Sequence, residues 1–496
     1  MLAVLAFAAL LAAGGAAWYQ NAVSTLSGTV VDAVSQQPLA QTEVRWRDLT
    51  VTTDAQGRFS LQGVDRKAQD DPVVVGGGDY ETQRIPLGPS GLVVALMPDT
   101  VTGLVTDNHR TPIARARISA GNVTAVTDAK GGFTLKGVAQ NPALRVVAPG
   151  FKTVTVRAGA RRQLTVTLDP FTPKGLYIPF AAVSARDVRQ SFLRNVERLA
   201  LNTAVLDITS DRGSVYAGVE TGIDRKMDAV VDSGDDLATV LKDLRARNLY
   251  VVARMPVFQA AAAAQAHPEW AVRVAANGAP YTDCQGQRWL DPFREEGWDY
   301  RLEQAEKAAD LGFNEIQFEY ARFPSDCVPG PLAYSQPVSD DAKRTAINGF
   351  MKRAMERLRP KGVAIAVSVF GMVATDDDMG VGQRLEDLAQ YADYICPVVH
   401  PSTWADGAFN VDYPPANPYA VVRGSVASAV KRLADSNAVV RPWLQAFDDY
   451  QRQRLPYRNQ QIADQIRGAE EAGASGWMLW DPFGRYLLDG PPQLGG

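Results

Sequence analysis

Histidine and cysteine are scarce in this sequence, with three of each among 496 residues. Zinc ribbons and histidine-rich metal centres need several such ligands at close spacing, so the composition excludes both classes of site. Lys and Arg total 51 against 55 Asp and Glu, and no basic run is interleaved with aromatic residues. Because nucleic-acid binding needs such a basic surface, we expect no nucleic-acid partner. We also expect no metal and no other cofactor.

Charged side chains are absent from the first 31 residues, and Leu2 to Trp18 form a continuous run of apolar and small residues. This pattern predicts a signal peptide or an uncleaved membrane anchor over residues 1–22, with a buried helix as the alternative. We therefore expect an exported protein, located in the periplasm, anchored to a membrane or extracellular.

The few cysteines fit an exported protein. Cys284 and Cys327 both fall in predicted loops, and in an oxidising compartment they could pair. Cys396 lies inside an apolar strand, where we expect an inert thiol.

One unit occurs twice in the first third of the chain. Asp54, Gly57, Phe59 and Gly63 recur at a constant offset of 74 as Asp128, Gly131, Phe133 and Gly137. Alternating apolar and polar residues with D-A-x-G turns predict two small β-sandwiches, over residues 25–98 and 99–170. The T-D-x-x-G-x-F turn resembles that of carboxypeptidase regulatory-like (transthyretin-like) domains. Such a module could bind carbohydrate or act as a spacer.

After Pro170, short apolar strands alternate with amphipathic helical patterns. The strands are predicted at 175–180, 203–208, 249–258, 315–323, 363–371, 393–399, 439–447 and 475–481. The helices are predicted at Asp187 to Leu201, Asp236 to Asn248, Glu295 to Leu311, Asp340 to Leu358 and Gln460 to Ala472, with Asp residues as N-caps. This alternation predicts a (β/α)₈ TIM barrel over 174–490. A doubly wound open sheet is disfavoured because no phosphate-binding glycine loop follows a strand.

Active sites of TIM barrels lie at the carboxyl ends of the strands, so polar residues there are the first candidates. Along the fourth strand, Glu315, Gln317 and Glu319 share one face. A polar inward face is either a buried network or part of a catalytic site. Trp404, Trp443 and Trp480 lie at or just past strand ends, where indole rings can stack on sugar faces. The predicted substrate-binding residues are Arg254, Gln317, Tyr320, Arg322, His400, Trp404, Trp443, Gln445 and Trp480.

Hydrolysis of a glycosidic bond needs two carboxyl groups, one as acid and one as nucleophile or base. Glu319 is the first candidate, because an inward position beside Gln317 suits the acid role. Asp481 and Asp207 also end strands and are both candidates for the second carboxyl group. The sequence does not rank them.

The strings VVARMPVF, WLDPF, GFNEIQFEYARFPSD, VFG, PVVHPSTW, RPWLQAF and GWMLWD lie at or near these strands. Together they resemble the glycoside hydrolase family DUF4015, over nearly all of residues 174–485. The resemblance implies a TIM barrel related to glycosidases, with a bacterial envelope polysaccharide as substrate.

Two positions depart from the family pattern. The family commonly has Asp in F-D-Y-V-R-F-P, where this sequence has Glu319, and Asp in A-D-V-F-G, where it has Ser368. If that second Asp is catalytic in the family, this chain has lost it or uses Asp481, Asp207 or Asp376 instead.

Three hypotheses for function follow. The first is an exported glycoside hydrolase that acts on a cell-envelope or matrix polysaccharide by carboxyl acid/base chemistry. The second is a non-catalytic saccharide-binding barrel with a degenerate active site, motivated by Ser368 and the two sandwiches. The third is an envelope scaffold that binds protein.

Overall fold

The computed structural model describes residues 23–68, 70–138, 141–159, 162–232, 234–325, 327–486 and 488. The predicted signal peptide or anchor over residues 1–22 lies outside these ranges. Within them, no helix has both the length and the apolar character needed to cross a lipid bilayer.

Each of the two repeats forms seven strands in two sheets. The first repeat contains Val23–Asp32, Glu43–Trp46, Leu49–Thr52, Arg58–Asp65, Val73–Gly77, Tyr80–Ile85 and Leu92–Leu96. The second contains Val101–Asp107, Arg117–Ala120, Val123–Val126, Gly132–Leu135, Ala143–Val147, Val154–Arg157 and Gln163–Leu168. In both, strands four, one and seven form one sheet, and strands three, two, five and six form the other. The repeat in sequence is therefore a repeat in topology.

The recurring turn has a physical cause. Asp54 Oδ1 accepts hydrogen bonds from the backbone N–H groups of Gln56 and Arg58, and Asp128 makes the equivalent bonds in the second repeat. Gly57 between them has a φ of 71°, and a Cβ there would lie 2.4 Å from the carbonyl oxygen of Val30. Only glycine fits both the positive φ and the close approach of the backbone.

Eight parallel strands in the rest of the chain form a closed ring. In chain order, barrel strands 1 to 8 are Lys174–Ile178, Thr203–Asp207, Tyr250–Pro256, Glu315–Glu319, Ala364–Phe370, Tyr394–Val398, Val439–Val440 with Trp443–Gln445, and Trp477–Trp480. Each strand pairs with the next, and strand 8 pairs with strand 1. The predicted TIM barrel is confirmed, and the open sheet is excluded because the ring closes.

Helices cover the outside of this ring. They are Phe180–Val183, Arg186–Arg198, Gly222–Lys226, Leu237–Ala246, Ala261–Ala266, Glu295–Leu311, Asp340–Leu358, Leu385–Leu388, Pro418–Arg432 and Asn459–Glu471. Asp236 caps its helix as predicted, by accepting a hydrogen bond from the backbone N–H of Thr239. The other Asp assignments were wrong for two helices: Ser339 caps the helix that begins at Asp340, and Asp187 lies inside the first turn of its helix.

The barrel interior below the strand ends contains a buried polar network. Arg441 forms an ion pair with Glu315, and both side chains are fully buried. Tyr250 Oη donates to Glu315 Oε2 at 3.1 Å, and Arg441 donates to Gln317 Oε1 at 3.3 Å. Gln317 in turn donates from Nε2 to Ser368 Oγ at 2.9 Å. The lower part of the polar ladder on strand 4 is therefore structural.

Candidate active site

A cavity of about 430 Å³ opens at the carboxyl ends of the barrel strands. Its wall comes from strand ends and from the loops that follow them. The lining residues are Arg254, Gln259, Asp283, Cys284, Gln285, Glu319, Tyr320, Arg322, Ser368, Val369, Phe370, Gln383, Val398, His400, Thr403, Trp443, Phe447, Tyr450 and Trp480. The volume is in the range of small-molecule sites, and the wall combines aromatic rings with a few polar groups.

Glu319 stands at the end of strand 4 and lines this cavity. Its Oε2 accepts a hydrogen bond from Arg254 Nε at 3.0 Å, and no hydrogen bond to Oε1 is found within the described residues. The same guanidinium donates from an Nη atom to Asp207 Oδ1 at 2.7 Å. Tyr177 Oη completes the chain by donating to Asp207 Oδ2 at 2.6 Å. One carboxylate oxygen of Glu319 is thus anchored, while the other is uncommitted.

The pKa values of Asp207 and Arg254 follow from their burial and from the charges beside them. Burial raises the pKa of Asp207, and this outweighs the opposing effects of Arg254 and Tyr177. Burial alone would lower the pKa of Arg254, but the carboxylates of Asp207 and Glu319 outweigh it and hold that pKa well above its ordinary value. Arg254 therefore remains a cation between two acidic groups.

The residue after Glu319 has an unusual backbone conformation. Tyr320 has a φ of 51°, in the left-handed region that side chains other than glycine rarely adopt. Its ring packs edge-on against Trp289, at a centroid distance of 5.8 Å. Arg322 lies over the same indole ring at 5.1 Å and donates to the Phe323 carbonyl oxygen and to Ser325 Oγ. A strained backbone conformation persists only where the surrounding packing holds it in place. Such residues are typical of functional sites.

Aromatic rings form the side of the cavity contributed by strands 6 to 8. His400 stacks on Trp480 at a centroid distance of 5.3 Å, and Phe447 packs edge-on against both rings. Burial lowers the pKa of His400 to about 3, so the imidazole is neutral near pH 7. His400 Nε2 and Trp443 Nε1 are buried and have no hydrogen-bond partner within the described part of the chain.

The loop after strand 3 supplies a carboxylate that the sequence did not single out. Asp283 Oδ2 accepts hydrogen bonds from Gln259 Nε2 and Trp289 Nε1, and Oδ1 accepts from the backbone N–H groups of Gln285 and Gln287, all at 2.9 Å. All these contacts organise the loop. Asp283 is therefore a saturated carboxylate in the cavity wall.

A disulfide joins this loop to the loop after strand 4. It links Cys284, which lines the cavity, to Cys327. The predicted pairing is therefore present in the structure. Cys396 is a buried free cysteine, and burial raises the pKa of its thiol to about 12, as suits the inert thiol expected there.

Seven of the predicted site residues line the cavity together: Glu319, Arg254, Tyr320, Arg322, His400, Trp443 and Trp480. Asp207 accepts a hydrogen bond from Arg254, and Gln317 donates one to Ser368, which also lines the cavity, but neither Asp207 nor Gln317 belongs to the lining.

Three predicted residues hold loops instead. Asp481 Oδ1 accepts hydrogen bonds from the backbone N–H groups of Phe483 and Arg485. Gln445 is fully buried and exchanges hydrogen bonds with Ser402. Trp404 packs against Phe409 at 4.7 Å, outside the cavity lining. These contacts give all three a local structural role, and none of their side chains faces the described cavity.

Other cavity residues escaped the sequence analysis, namely Gln259, Asp283, Phe370, Gln383, Phe447 and Tyr450. The position of Gln259 directly after predicted strand 3 was a signal that could have been used. For Phe447 and Tyr450, the signal was the aromatic pair in the string QAFDDY after strand 7. Asp283 lies far along a loop, where strand position gives no guidance.

Comparisons with solved structures find several glycosidases. A hypothetical protein from Ruminiclostridium thermocellum is 29% identical, covering 39% of this chain and 96% of that one, with a TM-score of 0.34. The PgaB (BpsB) glycoside hydrolase domain from Bordetella bronchiseptica is 15% identical, covering 63% and 94%, with a TM-score of 0.47. The α-galactosidase TtGalA from Thermus thermophilus is 13% identical, covering 75% and 70%, with a TM-score of 0.40. No match is found among curated proteins.

Two families match the chain by sequence. The carboxypeptidase regulatory-like domain matches residues 100–169, which contain the second sandwich. The family DUF4015, described as "putative glycosyl hydrolase domain", matches residues 175–486 and thus the whole barrel with its cavity. The chain belongs to the DUF4015 family, and its C-terminal domain is a TIM barrel of the glycoside hydrolase type.

Proposed function

We propose that this protein is an exported glycoside hydrolase that cleaves a cell-envelope or matrix polysaccharide. The observation that supports it best is Glu319, whose Oε2 is held by Arg254 and whose Oε1 is uncommitted in a cavity bounded by aromatic rings. A glycosidase needs such a carboxylate beside the scissile bond. The family match supports the reaction class, while the export and the substrate are part of the proposal.

In this proposal Glu319 Oε1 donates its proton to the glycosidic oxygen as the bond to the anomeric carbon breaks, and it then accepts a proton from the water that attacks that carbon, so that one carboxyl group serves both proton transfers. Arg254 fixes the other oxygen, so that the carboxylate has one orientation. Asp207 acts through Arg254 and does not contact the sugar, because Arg254 lines the cavity and Asp207 does not. Aromatic rings such as Trp480 pack on the sugar face and exclude water.

Export is supported by two independent features. The apolar segment over residues 1–22 is typical of a signal peptide or anchor. The Cys284–Cys327 disulfide belongs to a class of bond that persists in oxidising compartments and is rare in the cytosol.

The direct test is release of reducing sugar from a panel of purified bacterial exopolysaccharides and cell-wall glycans. Glu319→Gln should lower the rate by about 10²–10⁴-fold, the usual contribution of general acid–base catalysis. Glu356→Gln is the matched control, since Glu356 is an exposed carboxylate on an outer helix. Equal rates for Glu319→Gln and Glu356→Gln would reject Glu319 as the reactive group.

A second candidate function is saccharide binding without turnover. It is favoured by Ser368, which stands where the family has Asp, and by Asp283, whose oxygens are already occupied. Glycan-array binding by the wild type with no product would support this function. Ser368→Asp would then be expected to introduce turnover, because it restores the carboxyl group of the family pattern beside Gln317.

A further inference from the structure

We propose that the aromatic rings of Trp480, Phe447 and Tyr450 form a binding track for further sugar units of an oligosaccharide chain. The proposal rests on the proposed function, and it defines the substrate class as a chain of several units. It assigns a binding role to Phe447 and Tyr450, which lie in the loop after barrel strand 7.

Trp480, Phe447 and Tyr450 form a continuous row of rings in the wall of the cavity that holds Glu319. Trp480 lines the same cavity as Glu319, whereas Tyr177, which donates to Asp207 and lies 6.3 Å from Trp480 between ring centroids, lies behind the lining. Trp480 lies 5.4 Å from Phe447, and Phe447 lies 6.2 Å from Tyr450 with their planes within 4° of parallel. Tyr177 is buried, whereas Tyr450 is 49% exposed. The track therefore begins at the catalytic centre and reaches the surface.

The loop that presents the outer rings is held by two adjacent carboxylates. Asp449 accepts hydrogen bonds from Ser402 Oγ at 2.9 Å and from Tyr413 Oη at 2.5 Å. Asp448 accepts from the backbone N–H of Tyr457 at 3.0 Å. These bonds fix the backbone between Phe447 and Tyr450. An exposed aromatic ring on a fixed loop is preorganised for binding, since little entropy is lost when a ligand packs on it.

The polar atoms beside the track favour a sugar over an apolar ligand. Arg254, Gln285 and Glu319 line the same cavity as the three rings, and no hydrogen bond to Glu319 Oε1 is found within the described residues. A polar group that a ligand covers without pairing loses its hydrogen bonds to water. Hydroxyl groups can pair with guanidinium, amide and carboxylate groups, whereas an acyl chain cannot. Aromatic faces with nearby unpaired polar atoms therefore suit a saccharide.

The test measures binding, not turnover, so that it remains separate from the proposed hydrolysis. Glu319→Gln protein would be titrated by calorimetry with cello-oligosaccharides and chito-oligosaccharides of one to six units. We expect affinity to rise with chain length in at least one series. Adding Tyr450→Ala should weaken binding of the longer oligomers about tenfold and leave the shortest bound oligomer unchanged, because only longer chains reach Tyr450.

Two control variants sharpen this result. Tyr450→Phe keeps the ring and should bind like the Glu319→Gln parent. Phe483→Ala removes another exposed ring, which does not line the cavity, and should also leave binding unchanged. Affinity that does not depend on chain length, an equal loss at every length in Tyr450→Ala, or no binding of either series would overturn the track. Length-dependent binding by the Glu319→Gln protein, together with no hydrolysis by the wild type, would count against the proposed function alone.

Discussion

At the scale of single residues, Arg254 determines how the cavity carboxylate is presented. Its guanidinium contacts Glu319 on one side and Asp207 on the other. Asp207 is two contacts away from any sugar in the cavity, so we regard it as a positioning residue. Its carboxylate offsets part of the Arg254 charge and orients the guanidinium.

Replacing Asp207 should therefore affect the reaction by changing how strongly the Arg254 charge acts on Glu319. In Asp207→Asn the positive charge of Arg254 is no longer offset and disfavours protonation of the neighbouring Glu319, so the alkaline limb of the pH–activity profile should move to lower pH. We also expect kcat to fall about 10–100-fold with little change in KM, since Asp207 does not contact substrate. Tyr177→Phe, which keeps both charges, serves as the control. A lower rate with an unmoved alkaline limb would mean that Asp207 has only a structural role.

His400 predicts a pH dependence of stability. Its pKa falls from 6.5 to about 3 in the folded barrel because burial disfavours the charged form. The unfolded chain therefore binds the proton first, and the contribution of His400 to stability is complete above about pH 6.5 and is lost as the pH falls toward 3. Within that window the slope from this residue is up to about 1.4 kcal/mol per pH unit.

The measurement is urea unfolding followed by tryptophan fluorescence between pH 4 and 8, since seven of nine Trp lie in the barrel sequence. His400→Phe should lose this part of the slope below pH 6.5 and match the wild-type slope above pH 7. Parallel curves across the whole range would contradict a neutral buried imidazole.

At the scale of elements, strand 4 performs two tasks that differ with depth. Glu315 at its beginning is fully buried and ion-paired with Arg441. Glu319 at its end lines the cavity. Gln317 between them links Arg441 to Ser368. The interior network and the reactive group are thus parts of one polar face, because alternate residues of a strand point to the same side.

Breaking the buried pair should destabilise the barrel strongly. Glu315→Gln leaves Arg441 charged and uncompensated, and we expect a loss of about 3–5 kcal/mol in the free energy of unfolding. Chemical denaturation of the purified variant measures this loss. Replacing both partners by apolar residues, as in Glu315→Leu with Arg441→Met, should recover much of it. If the Glu315→Gln variant were as stable as the wild type, the Arg441 charge would not be buried.

At the scale of the whole molecule, the chain combines a duplicated sandwich with a barrel from a glycoside hydrolase family. The sandwiches repeat the same strand order, and Phe59 and Phe133 each pack over an equivalent glycine, Gly28 or Gly103. This accounts for the repeated positions in the sequence without assigning them any chemistry.

Export makes a chemical prediction about the mature protein. Non-reducing mass spectrometry of material recovered from its native cells should show Cys284 linked to Cys327 and Cys396 as a free thiol. If the apolar segment is a signal peptide, residues 1–22 should also be missing from the intact mass, whereas an anchor would be retained. Three free thiols in that material would contradict an oxidising location.

The sequence by itself determined the strands, their order and the sandwich repeat, because alternation, turn residues and helix periodicity are local signals. All eight barrel strands lie where the apolar runs predicted them, and Glu319 was identified from its place at a strand end. Ring closure was expected from the count of eight strands, and the pairing of strand 8 with strand 1 confirmed it.

Only the tertiary structure decided what each strand-end residue contacts. Asp481, Gln445 and Asp207 are all polar residues at strand ends in the sequence. In the structure, Asp481 and Gln445 bind loop atoms, whereas Asp207 binds Arg254. Likewise, Asp283 and Tyr450 reach the cavity from loops. The direction of a side chain at the barrel rim depends on how long loops fold back over it, and loop paths depend on contacts between residues far apart in the chain.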